Sequence, residues 1–399
     1  MFTYSDRMQN MNGTATREIF KLLSRPEIIS FAGGLPATEA LPTADVRAIA
    51  NEILSRPEGY KLLQYGTTEG YLPLIDEIRK LTAQFGVTAR DNTNVLILSG
   101  GQQGIDLMCK AFLNKGDTVL VEDPTYLAAL QIFHSYEAKA VGVRANEDGL
   151  DTEDLERKIV TYKPKFVYLV PTFSNPTGKT YGARNRKEIA RITAKYNLPV
   201  LEDDPYGRLR FSGEKVNALY SFAEADNVVY QMSFSKILSP GLRVGAAVGN
   251  SEIIRKMAIC KQGTDLHTSL LAQGIAAEYC RKGLLAPAVE KSLPLYRMRK
   301  EAMMRGIRAY MPEEFRHTDP DGGLFVWGEF AGADIDTGAL LQKATEHNVA
   351  YIQGQVFYAD GSGKNTIRLN YSNASEEKID TGMRALGTFF KEVLAKERR

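Results

Sequence analysis

The 399-residue chain is long enough for two domains and a substantial core. Apolar residues make up 44% and charged residues 25%, and 50 basic against 48 acidic residues leave a formal charge of +2. The charges are mixed along the chain, so no basic block points to nucleic acid, and no run of about 18 apolar residues points to a membrane span. Cys109, Cys260 and Cys280 lie far apart without metal-ligand spacing, and only four histidines occur. The expectation is three buried thiols in a reducing cytoplasm, with no metal site. The opening stretch MFTYSDRMQNMNGTATREIF has no apolar signal core, which agrees with a cytoplasmic protein.

Taken in chain order, residues 1–45 read as an arm and a loop, because ISFAGGLPATEALP is too rich in Gly and Pro for regular structure. From Asn94 onward, short apolar runs alternate with helical patterns. The runs are NVLILSG, DTVLVEDP, AKAVGVRA, PKFVYLVP, LPVLEDDPY, NVVYQMSFSK and VGAAVGN. Continuous apolar strands bounded by Gly, Pro, Asp or Asn suit a largely parallel sheet covered on both faces. Residues 46–287 are therefore predicted to form a large α/β domain. Near Pro287 a long helix begins, in which Pro294 allows a kink or a start. GGLFVWGEF, VAYIQGQVF and NTIRLNYS then read as strands, and SEEKIDTGMRALGTFFKEVLAKE as a closing amphipathic helix. Residues 288–399 are predicted to be a smaller α+β domain.

Ligands of α/β sheets collect beyond the carboxyl ends of the strands, where several unusual groups fall. SGGQQG, Ser99–Gly104, follows a strand and opens a helix, which makes a ready phosphate cradle. Taken singly it is also an ordinary strand-to-helix turn, and NPTG, Asn175–Gly178, is by itself only a turn. EDDPYG ends another strand with three acids that could cap a helix. SFSKILSPGLRVG places Lys236 among serines and apolar residues, with Arg243 seven positions later. A lysine so confined is costly unless it is neutralised, paired or chemically used. Together the four pieces meet the needs of an aromatic cofactor carrying an aldehyde, a phosphate and a ring nitrogen: an amine, helix N–H groups with a guanidinium, and a carboxylate.

FAGGLP, SGGQQG, NPTG, EDDPY, SFSKILSPGLRVG and IRLNYS jointly resemble the fold-type I aminotransferases that depend on pyridoxal phosphate, the aspartate aminotransferase superfamily. Within it, the chain is most similar to the 2-aminoadipate, kynurenine and aromatic aminotransferase branch, from about Arg17 to Arg368. The resemblance implies a mainly parallel seven-stranded sheet in the large domain and a homodimer with shared sites. It implies that Lys236 forms the Schiff base with pyridoxal 5′-phosphate and shuttles the proton. Asp203 pairs with the ring nitrogen, Tyr206 and Asn175 with the phenolic oxygen, and Tyr126 stacks on the ring. Gly101, Gln102, Ser233, Ser235 and Arg243 hold the phosphate, and Tyr65 reaches the phosphate of the neighbouring subunit. Arg368, helped by Asn175, forks onto the substrate carboxylate. Gly33, Gly34 and Leu35 line the substrate pocket, and Arg17 meets a distal carboxylate or remains a solvated helix arginine.

The implied activity moves the amino group of an aromatic amino acid, 2-aminoadipate or another broad-range donor to 2-oxoglutarate. The same cofactor site could instead serve a β-eliminating carbon–sulfur lyase. A third reading is the sensor domain of a winged-helix transcription regulator, which the short arm without a basic recognition helix disfavours.

Overall fold

The computed structural model describes residues 2–9 and 27–397, and Arg17 lies outside them. In chain order the strands are β1 (Ile29–Ser30), β2 (Val95–Leu98), β3 (Thr118–Asp123), β4 (Lys139–Arg144), β5 (Phe166–Leu169), β6 (Val200–Asp204) and β7 (Val228–Ser233). They continue with β8 (Gly245–Val248), β9 (Phe315–His317), β10 (Phe325–Phe330), β11 (Val349–Ala350), β12 (Ile352–Gln353) and β13 (Thr366–Asn370). The seven predicted runs form one sheet in the order β2-β8-β7-β6-β5-β3-β4. Only β8 runs antiparallel to its neighbours.

The near-continuous apolar sequence of these strands has a simple cause. Val119 and Val121 belong to one core cluster, and Leu120 between them belongs to another. Successive side chains point to opposite faces, so both faces are covered and neither can be polar. Because β8 is antiparallel to both β2 and β7, those two run the same way. Leu98 and Ser233 both pair with Gly245, which brings the ends of β2 and β7 level on one sheet edge.

The second sheet is antiparallel, in the order β12-β13-β10-β9. Arg368 lies in its interior, opposite Trp327 on β10 and Ile352 on β12. β1 pairs in parallel with β11, which ties the N-terminal segment to the second sheet's side of the molecule.

Five details differ from the sequence reading. VAYIQGQVF is not one strand: Val349–Ala350 pairs with β1, Ile352–Gln353 pairs with β13, and Gly354–Phe357 is a 3₁₀ turn. A run serving two sheets must change direction between them. The short strand Phe315–His317 went unpredicted because two of its three residues are exposed and it carries no apolar alternation. The segment before residue 45 is less irregular than expected, since a helix starts at Thr43. The helix Leu285–Tyr310 runs through Pro294 rather than starting there. Cys109 and Cys280 are buried as expected, whereas Cys260 is partly exposed.

Candidate active site

The carboxyl ends of β2, β3, β5, β6 and β7 open onto one cavity of about 250 Å³. Each contributes the residue or loop that follows it. The turn after β2 starts the helix Gly101–Phe112, and the turn after β3 carries Tyr126. The loop after β5 carries Asn175, Asp203 is the last residue but one of β6, and Lys236 closes the short turn after β7. From the second sheet, Phe325 and Arg368 enter the same cavity, and Gly33, Gly34 and Leu35 line its other side.

Lys236 Nζ donates to the Gly34 carbonyl at 2.6 Å. Among the described residues it makes no ion pair, and burial together with the Arg368 and Arg243 charges pushes its ammonium down to about 8. Asp203 is buried and accepts from Gln231 Nε2 and from the Tyr168 hydroxyl, each at 2.8 Å. Burial raises its carboxyl to about 6, against the pull of those two donors. No cation pairs with it among the described residues.

Arg368 is buried, and its guanidinium lies 4.2 Å from the centre of the Phe325 ring. Nη1 donates to Asn175 Oδ1 at 2.7 Å and Nη2 to the Ala32 carbonyl at 2.8 Å. Nε finds no partner. Burial lowers this guanidinium to about 10, so it remains cationic at neutral pH. Asn175 also bonds the Tyr206 phenol, whose ring meets Phe325 edge-on at 5.8 Å. Burial raises the Tyr206 hydroxyl far out of the neutral range and keeps it protonated.

The cradle at Ser99–Gly101 is braced from behind. Ser99 donates its backbone N–H to Gln103 Oε1 at 2.7 Å and its hydroxyl to Asp265 at 2.6 Å. Lys261 has no exposed surface, and its Nζ bonds Gln103 at 2.6 Å, Asp265 at 2.9 Å and Thr268 at 3.1 Å. Gly100 holds φ at +86°, and a Cβ there would fall 2.3 Å from Arg243 Nη2. Glycine is what allows the guanidinium to close over the helix start. Lys261→Met is expected to lower stability by about 2–3 kcal/mol, because Asp265 and Gln103 lose their cation. Urea unfolding of the variant measures this directly.

Most residues expected from sequence therefore converge. Gly34, Gly101, Gln102, Tyr126, Asn175, Asp203, Tyr206, Ser233, Ser235, Lys236, Arg243 and Arg368 all line the one cavity. Tyr65 does not: it is 79% exposed and stands edge-on to His267. Sequence reasoning missed Gln231, Tyr168 and Phe325. A glutamine inside the apolar run NVVYQMSF was a readable signal, whereas Tyr168 and Phe325 look like ordinary core aromatics.

A model of the family described as aminotransferase class I and II matches residues 26–386. The chain belongs to that family. It is 37% identical to aromatic-amino-acid aminotransferase 1 of Thermococcus litoralis over 98% of this chain and 95% of that one. It is 39% identical to 2-aminoadipate transaminase of Thermus thermophilus over 96% of each. The crystal structure of Pyrococcus horikoshii kynurenine aminotransferase, in complex with PMP, matches with a TM-score of 0.93 and 39% identity. That match covers 98% of this chain and 97% of the other. The aminotransferase is a pyridoxal phosphate enzyme acting on amino acids and oxo acids. Its cavity fits that cofactor on its own chemistry: an amine without a carboxylate partner, a buried acid without a cation, and an Arg-capped helix start lie around one space.

Proposed function

We propose that this aminotransferase moves the amino group of aromatic amino acids and 2-aminoadipate to 2-oxoglutarate. The observation that carries the reading is the placing of Lys236, Asp203 and Arg368 around one cavity that Gly33, Gly34, Leu35 and Phe325 also line. The names of the relatives support the donor range. The test is a panel of amino donors against 2-oxoglutarate, with each product oxo acid measured. Turnover of aromatic donors and 2-aminoadipate, dependent on the oxo acid, supports the proposal. Pyruvate and ammonia released from a cysteine conjugate without added oxo acid would replace it with the lyase reading.

In this reading Arg368 binds the α-carboxylate through its remaining N–H groups, and Asn175 holds the guanidinium in plane. That contact would turn the Cα–H bond toward Lys236, whose amine would take the proton and return it to the cofactor's aldehyde carbon, on the far side of the transferred nitrogen. When bound, pyridoxal 5′-phosphate supplies an electron-poor ring that spreads the charge left at Cα. Asp203 would keep the ring nitrogen protonated, Tyr206 and Asn175 would donate to the phenolic oxygen, and Tyr126 would cover the ring face. Gly101, Gln102, Ser233, Ser235 and Arg243 hold the phosphate, and Gly34 borders the substrate.

The exposed Tyr65 suits a homodimer in which it completes the partner's phosphate site. For Arg17, which lies outside the described residues, the proposal stays as read from sequence: it meets a distal carboxylate of the substrate or is a solvated helix arginine. The division into residues 1–45, 46–287 and 288–399 belongs to the same proposal, as does a cytoplasmic location. Among the described residues no helix is long and apolar enough to cross a membrane.

The lowered Lys236 ammonium makes a pH prediction. Only the neutral amine can attach the cofactor aldehyde, so the attachment rate follows deprotonation. With a value about 8, the rate should climb with pH and level off above about 9. An unperturbed lysine, with a value of about 10.4, would keep climbing to about pH 11.4. Absorbance of the apoprotein mixed with pyridoxal 5′-phosphate follows this rate across the range.

A further inference from the structure

Gln231 sits in the middle of β7 with no exposed surface. Its pairing partner on β6 is Asp203, and paired residues of neighbouring strands project from the same sheet face. Tyr168 on β5 pairs with Leu201, two residues before Asp203, and so shares that face. The result is a carboxylate held between two neutral donors, one to each oxygen. One donor per oxygen sets the plane of the carboxyl group and favours its ionised form.

Two destabilising features meet at Gln231. Its Oε1 is buried without a partner, which costs about 1–3 kcal/mol. Gly104 lies inside the helix Gly101–Phe112, where glycine costs about 1 kcal/mol relative to alanine. A Cβ at Gly104 would fall 1.8 Å from that same Oε1. Packing alone does not account for the pair, because an apolar side chain at 231 would leave no orphaned oxygen there. What the glutamine adds is the Nε2–H bond to Asp203.

We propose that Gln231, seated by Gly104 and assisted by Tyr168, is a positioning residue that aims the Asp203 carboxylate and keeps it charged against the cofactor's ring nitrogen. The proposal rests on the reading of Asp203 as the ring-nitrogen partner. Burial and the neighbouring Asp204 both favour neutral Asp203, and the Gln231 and Tyr168 donors are what oppose them. Without Gln231 the carboxyl shifts toward its neutral form, which cannot hold a ring proton by charge.

The test compares two probes on the full-length apoprotein at pH 7: pyridoxal 5′-phosphate and its 1-deaza analogue, which has carbon in place of the ring nitrogen. Asp203→Asn should weaken the first about 100-fold and leave the analogue nearly unchanged. Gln231→Leu should weaken the first about 10-fold, the worth of one hydrogen bond to a charged group, with less than about 2-fold change for the analogue. Tyr168→Phe should show the same selectivity. Gly104→Ala should reproduce the selective loss alone and add nothing further to Gln231→Ala, as expected for coupled sites. Equal losses for both probes in Gln231→Leu would show bulk packing only and overturn the proposal. Additive losses in the Gly104→Ala and Gln231→Ala pair would overturn the seating by Gly104. If Asp203→Asn fails to discriminate, the ring-nitrogen reading falls and the proposal with it. If Asp203→Asn discriminates and Gln231→Leu does not, the proposal alone falls.

Discussion

Replacement of Lys236 by alanine is expected to lower turnover by about 10⁴-fold or more and to remove the absorbance change that attachment of pyridoxal 5′-phosphate produces. Lys236 is the one lysine among the described residues lining the cavity. Its Nζ sits 2.6 Å from the Gly34 carbonyl, which lines the same cavity. Burial, with the Arg368 and Arg243 charges added to it, makes its proton easy to lose, which suits a base that must give and take it near neutral pH. The phosphate cradle at Ser99–Gly101 and Arg243 does not depend on Lys236. The variant should therefore still bind the cofactor, though without the covalent signature. Absorbance spectra and single-turnover rates of the purified variant decide the matter, and retention of the wild-type band would refute the assignment.

Arg368→Lys is expected to lower kcat/KM by roughly 10²–10³-fold while leaving cofactor affinity nearly unchanged. The guanidinium is fixed at four places: Asn175, the Ala32 carbonyl and the Phe325 and Phe357 faces. Only a planar fork can keep those anchors and still offer parallel N–H groups to a carboxylate. A lysine keeps the charge but presents its donors from one atom, so the substrate would rock about that point. Loss of orientation should lower kcat as well as raise KM, because the Cα–H bond no longer meets Lys236 squarely. Steady-state kinetics with the best donor measure both constants. An unchanged kcat/KM would remove Arg368 from the carboxylate site.

Both predictions could be made from sequence. Lys236 stands in SFSKILSPGLRVG, where serine, lysine and arginine lie within a few residues and the turn is local. Arg368 stands in a strand-like run where an unpaired guanidinium is hard to bury, so it too could be read as functional. The seven strands of the main sheet were legible as apolar runs, because a sheet covered on both faces demands them. The reversed direction of β8 left no such trace, since hydrophobicity does not encode strand direction.

Gln231 and Tyr168 mark the boundary from the other side. Their importance lies in a cross-strand register that sets them beside Asp203, and registers are set by the packing of the whole sheet. The split of VAYIQGQVF between two sheets and the exposure of Tyr65 were equally out of reach. Local composition determined which side chains could bear the chemistry, because turns, caps and apolar runs act over a few residues. Only the tertiary structure decided that an amine, an acid and a guanidinium from segments up to 165 positions apart share one small cavity, because distances between remote segments are fixed by how the sheets and helices pack.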